Sequence, residues 1–207
     1  MSKAIWYNDW LLGQISNYLR GDILEVGAGI GNFTSKLARY GKVTAIDYDQ
    51  NYKNANFGDI EKGKYFFGSK SFDTVVCMNV LEHIKNDRSA LKNMYSLLKV
   101  NGKLILLVPA FPLAYGQMDK GLGHFRRYTK DTAGKKIKEA GFITVENKYI
   151  NWLGLIGWFV NARILKKEII PEGQLKLFNR IAKVFLYFEK FINPPFGLSV
   201  LAIGEKK

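Results

Sequence analysis

The sequence predicts an α/β protein whose parallel sheet is covered by helices on both faces. Three observations carry this. Short apolar runs alternate with amphipathic segments of helical period from residue 22 to 150, glycines cluster at the turn after the first run, and an aspartate closes the second. At 207 residues, 47% of them hydrophobic and 24% charged, the chain suits one domain, 1–207, with its own core, and it is too apolar for a disordered tail.

The elements follow in order. Leu11, Ile15, Tyr18 and Leu19 recur at helical spacing behind Asn8 as a cap, and Gly21 ends this first helix. A strand over 22–26 leads to a helix over 31–40 closed by Gly41, then to a strand ending at Asp47. About seven residues separate that strand from the next, at 55–59. A parallel crossover needs about a dozen, so the second crossover helix is expected to be stunted or replaced by a loop. A strand at 74–78 precedes a helix over 87–99, with Asp87 as cap and Leu91, Met94 and Leu98 inward. A strand at 103–109, a helix over 130–140 capped by Thr129, and strands at 142–150 and 198–206 complete the pattern.

A helical insertion over 151–196 separates the last two strands. Its first part, WLGLIGWFVNARIL, is apolar but too short to span a bilayer. The stretch 171–192 reads as a helix opened by Pro171 and stopped by Pro194. Leu175, Phe178, Ile181, Phe185, Phe188 and Ile192 form its apolar face, and Lys176, Arg180, Lys183 and Lys190 its basic one. This is the composition of a lid over a greasy ligand or of a membrane-surface element, and equally of two helices that enlarge the core.

A net charge of +13 attracts anions, whether nucleic acid, acidic lipid headgroups or phosphorylated small molecules. The lone Cys77, inside the apolar run TVVCMNV, excludes an intrachain disulfide and a cysteine-cluster metal site. His83 and His124 stand far apart in sequence without metal-ligand spacing, so no metal is expected. The opening residues lack a secretory leader, and no run of about 18 apolar residues occurs. A cytoplasmic location follows, with peripheral membrane contact through 171–192.

The segment Glu25-Val26-Gly27-Ala28-Gly29-Ile30-Gly31 places alternate glycines at the turn from a buried strand into a helix. Glycine serves there because the backbone must take positive φ or let a ligand approach closely. The dinucleotide fingerprint G-x-G-x-x-G fails, because its third position is Asn32. Asp47, at the end of the next strand, can accept both ribose hydroxyls of an adenosine. The expected cofactor therefore carries an adenosine and no pyrophosphate.

These residues resemble the class I S-adenosylmethionine methyltransferases, whose first motif reads (D/E)-x-G-x-G-x-G and whose second strand ends in an acidic residue. The resemblance covers roughly 22–150 and implies a Rossmann-like sheet with an antiparallel last strand. It implies that Glu25, Gly27, Ala28, Gly29 and Gly31 line the methionine part of the cofactor, that Asp47 holds the ribose and that Tyr48 covers the adenine. Phe57-Gly58-Asp59-Ile60 resembles the segment that touches the adenine, with Asp59 accepting from its exocyclic amine. The stretch 71–84 resembles the fourth-strand motif of the small-molecule and lipid branches, and places Met78 and Asn79 beside the cofactor. Leu81-Glu82-His83-Ile84 then opens a helix.

The acceptor wall is expected after Pro109, where the carboxyl ends of strands flank the crevice. There the stretch from Tyr115 to Thr129 resembles the G-H-x-R-R-Y segment of a bacterial and archaeal methyltransferase branch that accompanies glycan or lipid biosynthesis. His124 is the candidate base, with Tyr115 and Asp119 as partners. Arg126 and Arg127 are candidates to clamp a carboxylate or phosphate, with Tyr128, Trp152 and Trp158 completing the wall. The alternative is that these groups pair among themselves and cap the next helix. Asn193-Pro194-Pro195-Phe196 looks like the loop that grips a flipped base, but it follows a helix and not the fourth strand. The sequence thus points to an S-adenosylmethionine-dependent methyltransferase of a small, lipid-linked or glycan-linked acceptor. An RNA or DNA methyltransferase and a non-catalytic S-adenosylmethionine-binding protein are the alternatives.

Overall fold

The computed structural model describes residues 5–161, 182, 185–187, 189, 192 and 194–207. Among these, eight strands form one sheet: β1 (Gly21–Val26), β2 (Gly41–Asp47), β3 (Asn56–Asp59), β4 (Lys64–Tyr65), β5 (Phe72–Met78), β6 (Leu98–Pro109), β7 (Ile143–Ile150) and β8 (Ser199–Glu205). Their order is β4-β3-β2-β1-β5-β6-β8-β7. The run from β3 to β6 is parallel, while β8 lies antiparallel to both β6 and β7, and β4 antiparallel to β3. The chain winds from β1 outward through β2 and β3, then returns to the other side of β1 as β5. The reversal puts a crevice beyond the carboxyl ends of β1 and β5.

Strand alternation sends side chains to two apolar layers. On one face Leu24, Val75, Cys77, Leu104 and Leu106 pack with Leu91 and Met94 of α3 (Asp87–Leu97), Ile137 of α5 (Lys130–Glu139) and Phe142. On the other, Ile23, Val76, Ile105, Leu107 and Leu201 meet Leu11, Leu12 and Ile15 of α1 (Ile5–Ile15) and Leu37 of α2 (Thr34–Leu37). Each such side chain, once buried, contributes roughly 1.5–3 kcal/mol.

The short stretch between β2 and β3 forms turns in place of a helix, as its length requires. Elsewhere the expectations need correction. The helix expected over 31–40 shrinks to the four residues of α2, because the glycine turn extends through Phe33. Asn86, not Asp87, caps α3: its side chain accepts from Ser89 N at 3.1 Å, while the Asp87 carboxylate turns toward Arg126, Lys136 and Tyr128. β6 starts at Leu98, and its register shifts against β5 before Lys103, where Asn101 takes φ 62°.

After β7 the chain enters the insertion through α6 (Trp152–Phe159), capped by Asn151, whose side chain accepts from Gly154 N at 2.9 Å. Glu189 accepts from the backbone N–H groups of Asn151 and Trp152, Asn151 donates to Tyr7 Oη, and Trp10 Nε1 donates to Leu186 O. Ala182, Leu186 and Glu189 face inward, whereas Phe185 and Ile192, expected on the apolar face, are exposed. Pro171, the basic residues Lys176, Arg180, Lys183 and Lys190, and Leu175, Phe178, Ile181 and Phe188 lie outside the described residues. No helix among the described residues is long and apolar enough to cross a membrane.

Phe142 fills the space over Gly204 of β8 and meets Tyr95 edge-on at 5.0 Å. Phe142→Ala should lower stability by about 3–5 kcal/mol, the usual loss for an aromatic removed from a packed core. The urea midpoint reads this, and an unchanged midpoint would contradict the packing.

Candidate functional site

β1 delivers its last side chains to the crevice through a left-handed turn with Gly27 at φ 74°, Gly29 at 54° and Gly31 at 81°. The N–H groups of Gly27 and Ala28 both donate to Ile46 O, at 2.8 and 3.2 Å, which locks the turn to β2. A Cβ on Gly27 would stand 2.2 Å from Val80 Cγ2, so this position is glycine for packing. At Gly29 a Cβ would meet nothing within 4 Å, so that glycine borders open space.

Asp47 ends β2 across from this turn. Its Oδ2 accepts from Gly29 N at 2.8 Å and its Oδ1 from Asp49 N at 2.9 Å. A carboxylate offers about four acceptor positions, so both oxygens keep capacity for ribose hydroxyls. Glu25, 5% exposed, accepts from Thr34 Oγ1 at 2.6 Å. Burial pushes its carboxyl up to about 7, against the Thr34 hydrogen bond and with help from the Asp47 charge.

Beyond Asp47 a groove of about 630 Å³ is lined by Tyr48, Phe57, Asp59, Lys62 and Lys64 among others. Ligand pockets usually fall between about 300 and 1,000 Å³. Tyr48 is exposed, tilted against Phe57 at 6.5 Å, while Asp59 is buried and accepts from Lys62 N at 2.9 Å. Ile60 turns into the core, and its carbonyl accepts from Asn93 Nδ2. At the end of β5, Asn79 takes φ 54° and donates its N–H to Leu107 O; Asn tolerates this conformation better than most residues. The turn, the Asp47 carboxylate and Asn79 thus stand at the carboxyl ends of neighbouring strands, while Met78 packs toward Leu11, Ile15 and Leu107 and Ile60 toward the core.

The segment expected to form the acceptor wall is built around Asp119, which is fully buried in α4 (Gln117–Gly121). Its Oδ2 accepts from Gly116 N at 3.0 Å, and its Oδ1 pairs with His124 Nδ1 at 2.9 Å and Arg127 Nε at 2.7 Å. Burial alone would raise this carboxyl, but the His124 and Arg127 hydrogen bonds outweigh it and hold it below the ordinary carboxylate range. Arg127 also donates to Ala110 O at 3.0 Å and lies 4.7 Å over the Trp158 ring of α6. Tyr115 donates its hydroxyl to His124 O at 2.8 Å. Backbone bonds from Tyr128 N to Pro109 O and from Phe111 N to Tyr128 O stitch the Arg-Arg-Tyr run to the end of β6, with Phe111 at φ 60°.

Arg126 and Tyr128 point to a second acidic group. Tyr128, 1% exposed, donates to Asp87 Oδ2 at 3.0 Å, and Arg126 and Lys136 complete the carboxylate's partners at 3.0 and 2.8 Å. Arg126 also donates to Lys85 O. Most of the cationic and phenolic groups expected to face an acceptor therefore meet partners inside the protein. Trp152 packs edge-on against Phe185 at 5.9 Å.

Glu82 was read in the sequence only as the start of a helix, yet it is 1% exposed and its carboxylate stands 3.9 Å from His124 Nε2. Burial pushes its carboxyl up to about 8, against the Arg127 charge. The one available signal was a charged residue between Leu81 and Ile84, where the apolar pattern expects none. Phe125 N donates to Glu82 O at 2.8 Å, which draws the His124 loop onto this turn.

The family described as Methyltransferase domain matches residues 11–147, and the chain belongs to that family. Its sheet is Rossmann-like. The ubiquinone biosynthesis O-methyltransferase of Xanthomonas euvesicatoria is 34% identical over 134 residues, 52% of this chain and 56% of that protein. The mitochondrial ubiquinone biosynthesis O-methyltransferase of Schizosaccharomyces pombe is 34% identical over 99 residues, 41% of this chain and 36% of that protein. The chain thus spans about half or less of the length of these curated relatives. The crystal structure of a SAM-dependent methyltransferase from Archaeoglobus fulgidus shares the fold at TM-score 0.66 and 15% identity, covering 98% of this chain and 95% of that one. So does the N-methyltransferase NodS from Bradyrhizobium japonicum in complex with S-adenosyl-L-homocysteine, at 0.57 and 17%, covering 99% and 87%.

Asp87, among three donors that outweigh its burial, is held below the ordinary carboxylate range. A carboxyl with a lowered folded value stabilises the fold above its unfolded value and loses that contribution as pH falls through the folded one. Asp87→Asn should therefore cost about 1–2 kcal/mol at neutral pH, discounted for the partly exposed cations, and lose less stability than wild type below about pH 4. Urea melts at two pH values measure both effects; parallel losses would contradict the pairing.

Proposed function

We propose that this methyltransferase acts on a small, lipid-linked or glycan-linked acceptor bound beyond the ends of β5 and β6, with His124 as the base. The observation that carries the reading is the Asp119–His124 pair. An ionised buried carboxylate can only accept, so Nδ1 carries a proton, and in the neutral imidazole Nε2 then holds the lone pair. Asp119 and Arg127 act as positioning residues, and the latter ties the base to α6 through Trp158. Tyr115 fixes the backbone of His124. Arg126 and Tyr128, committed to Asp87, shape the wall more than they bind the acceptor.

The residues of the crevice fit S-adenosylmethionine: open space at Gly29, an acidic group at Asp47 with acceptor capacity, and a groove with aromatic and acidic lining at Tyr48 and Asp59. When bound, that cofactor supplies a methyl group on a sulfonium centre. Glu25, Gly27, Ala28, Gly29 and Gly31 would hold its methionine end, Asp47 the ribose, and Tyr48, Asp59, Ile60, Met78 and Asn79 the adenine side. The chain's task is to align a nucleophile with that centre and remove its proton.

A lipid-linked acceptor is supported by the apolar exposure of Ile156 and Phe159 on α6 and of Val160 just after it, next to half-buried Trp152 and Trp158, and by the names of the ubiquinone O-methyltransferase relatives. A cytoplasmic chain with peripheral membrane contact through 171–192 accords with this. The net charge of +13 favours the second reading, an RNA or DNA methyltransferase.

Purified protein given methyl-labelled cofactor and separate lipid, RNA and soluble-metabolite fractions should label the lipid or metabolite fraction. Label in RNA alone would overturn the acceptor class, and none anywhere would point to a non-catalytic binder. His124→Ala should abolish turnover with cofactor affinity intact. Because Glu25 sits near 7 when free, cofactor positive charge should favour its ionised form. Affinity measured by calorimetry should then be about tenfold weaker at pH 6 than at pH 8. Glu25→Gln should flatten that dependence, and a wild type with flat affinity would remove Glu25 from the methionine end.

A further inference from the structure

We propose that Glu82, His83 and His124 form a binding site for a divalent first-row transition ion of the zinc type. Sequence spacing argued against any metal, yet the fold brings the two imidazoles together, centroids 4.7 Å apart and edge-on. One ligand atom from each of the three residues lies within 4.8 Å of the others. A carboxylate with two imidazoles is a donor set suited to zinc and its neighbours.

Two independent observations point to a ligand. Glu82 is 1% exposed, and neither of its carboxylate oxygens has a hydrogen-bond partner. Buried polar groups are nearly always satisfied, and an unsatisfied one asks what it is there to hold. One of those oxygens faces His124 Nε2 at 3.9 Å. The second observation is the arrangement behind His124. Its Nδ1 donates to Asp119, itself fixed by Arg127 and Gly116 N, so the ring is turned and its Nε2 lone pair aimed at Glu82. A carboxylate behind a histidine is the usual support for a metal-ligating imidazole.

Ligand distances of about 2.1 Å place tetrahedral donors about 3.4 Å apart. The site must therefore contract by up to about 1.4 Å on binding. His83 is an exposed residue whose ring packs edge-on against His124, so a rotation of its side chain can make that movement. Three protein ligands leave a fourth coordination position open. The site stands immediately after β5, at the acceptor end of the crevice. The ion goes beyond the methyl-transfer reading and alters one role within it, since His124 Nε2 cannot be ligand and base at once. A hydroxyl on the open position would then lose its proton to solvent water more readily, by coordination in place of the base.

The test uses tag-free, chelator-stripped full chain titrated with Co²⁺, whose visible bands report tetrahedral nitrogen and oxygen ligation, and competed with Zn²⁺. Since the chain has only two histidines, imidazole ligation cannot arise elsewhere. Wild type should bind one equivalent, and Zn²⁺ should bleach the bands. His83→Ala, at an exposed position, should weaken binding at least tenfold, and Glu82→Gln, which keeps the side chain's shape, should do the same; thermal melts confirm that each variant folds. Absence of bands in wild type, or bands unchanged in folded His83→Ala or Glu82→Gln, overturns the proposal. Cofactor binding measured separately by calorimetry is independent of these bands, so a failed metal site and a failed methyl-transfer reading give different results.

Discussion

The wall proposed for the acceptor depends on one buried charge pair. Asp119 and Arg127 are both removed from water, and such ions are tolerated only when each finds full compensation. Asp119 finds it in three donors, Arg127 in a carboxylate, a carbonyl and an indole face. Because the partners come from α4, the His124 loop, the end of β6 and α6, satisfying the pair fixes four segments of chain at once. Hydrophobic packing, which is non-directional, could bury the same area without setting the orientation of a single imidazole.

The donor half is organised differently, by backbone. Amides of Gly27 and Ala28 converge on one carbonyl of β2, and Gly29 turns its own amide to Asp47. Here the sheet does the positioning, and side chains contribute mainly by being absent. Such a site tolerates sequence drift around it, whereas the Asp119 cluster demands particular residues at particular atoms. That contrast matches the comparisons, in which the fold extends over nearly the whole chain at low identity while curated relatives match about half of it or less.

Legibility in the sequence followed the same division. Strands buried on two faces, such as 74–78, and the Glu25-to-Gly31 turn are local patterns, and they could be placed from residue order alone. The missing crossover helix followed from a length. What could not be read was contact between distant residues: Tyr128 with Asp87, Arg127 with Trp158, and His83 with His124 are pairings that only the winding of the sheet creates. A histidine count and a spacing rule speak only to ligands close in sequence, and so they missed the juxtaposition. Arg126, Arg127 and Tyr128 looked available because composition reports charge and not whether a partner waits inside.

The close contact between Gly27 and Val80 bears on how the enzyme can diversify. A single isopropyl group separates the glycine turn, proposed to hold the cofactor, from Leu81-Glu82-His83, which leads to the proposed acceptor wall. Any substitution that enlarges position 80 must push on the glycine turn, so the boundary between the two halves is too thin to remodel. New acceptor preferences in chains of this design are therefore expected to accumulate in the segment between β7 and β8, which has length to spare, while the partition itself stays as it is.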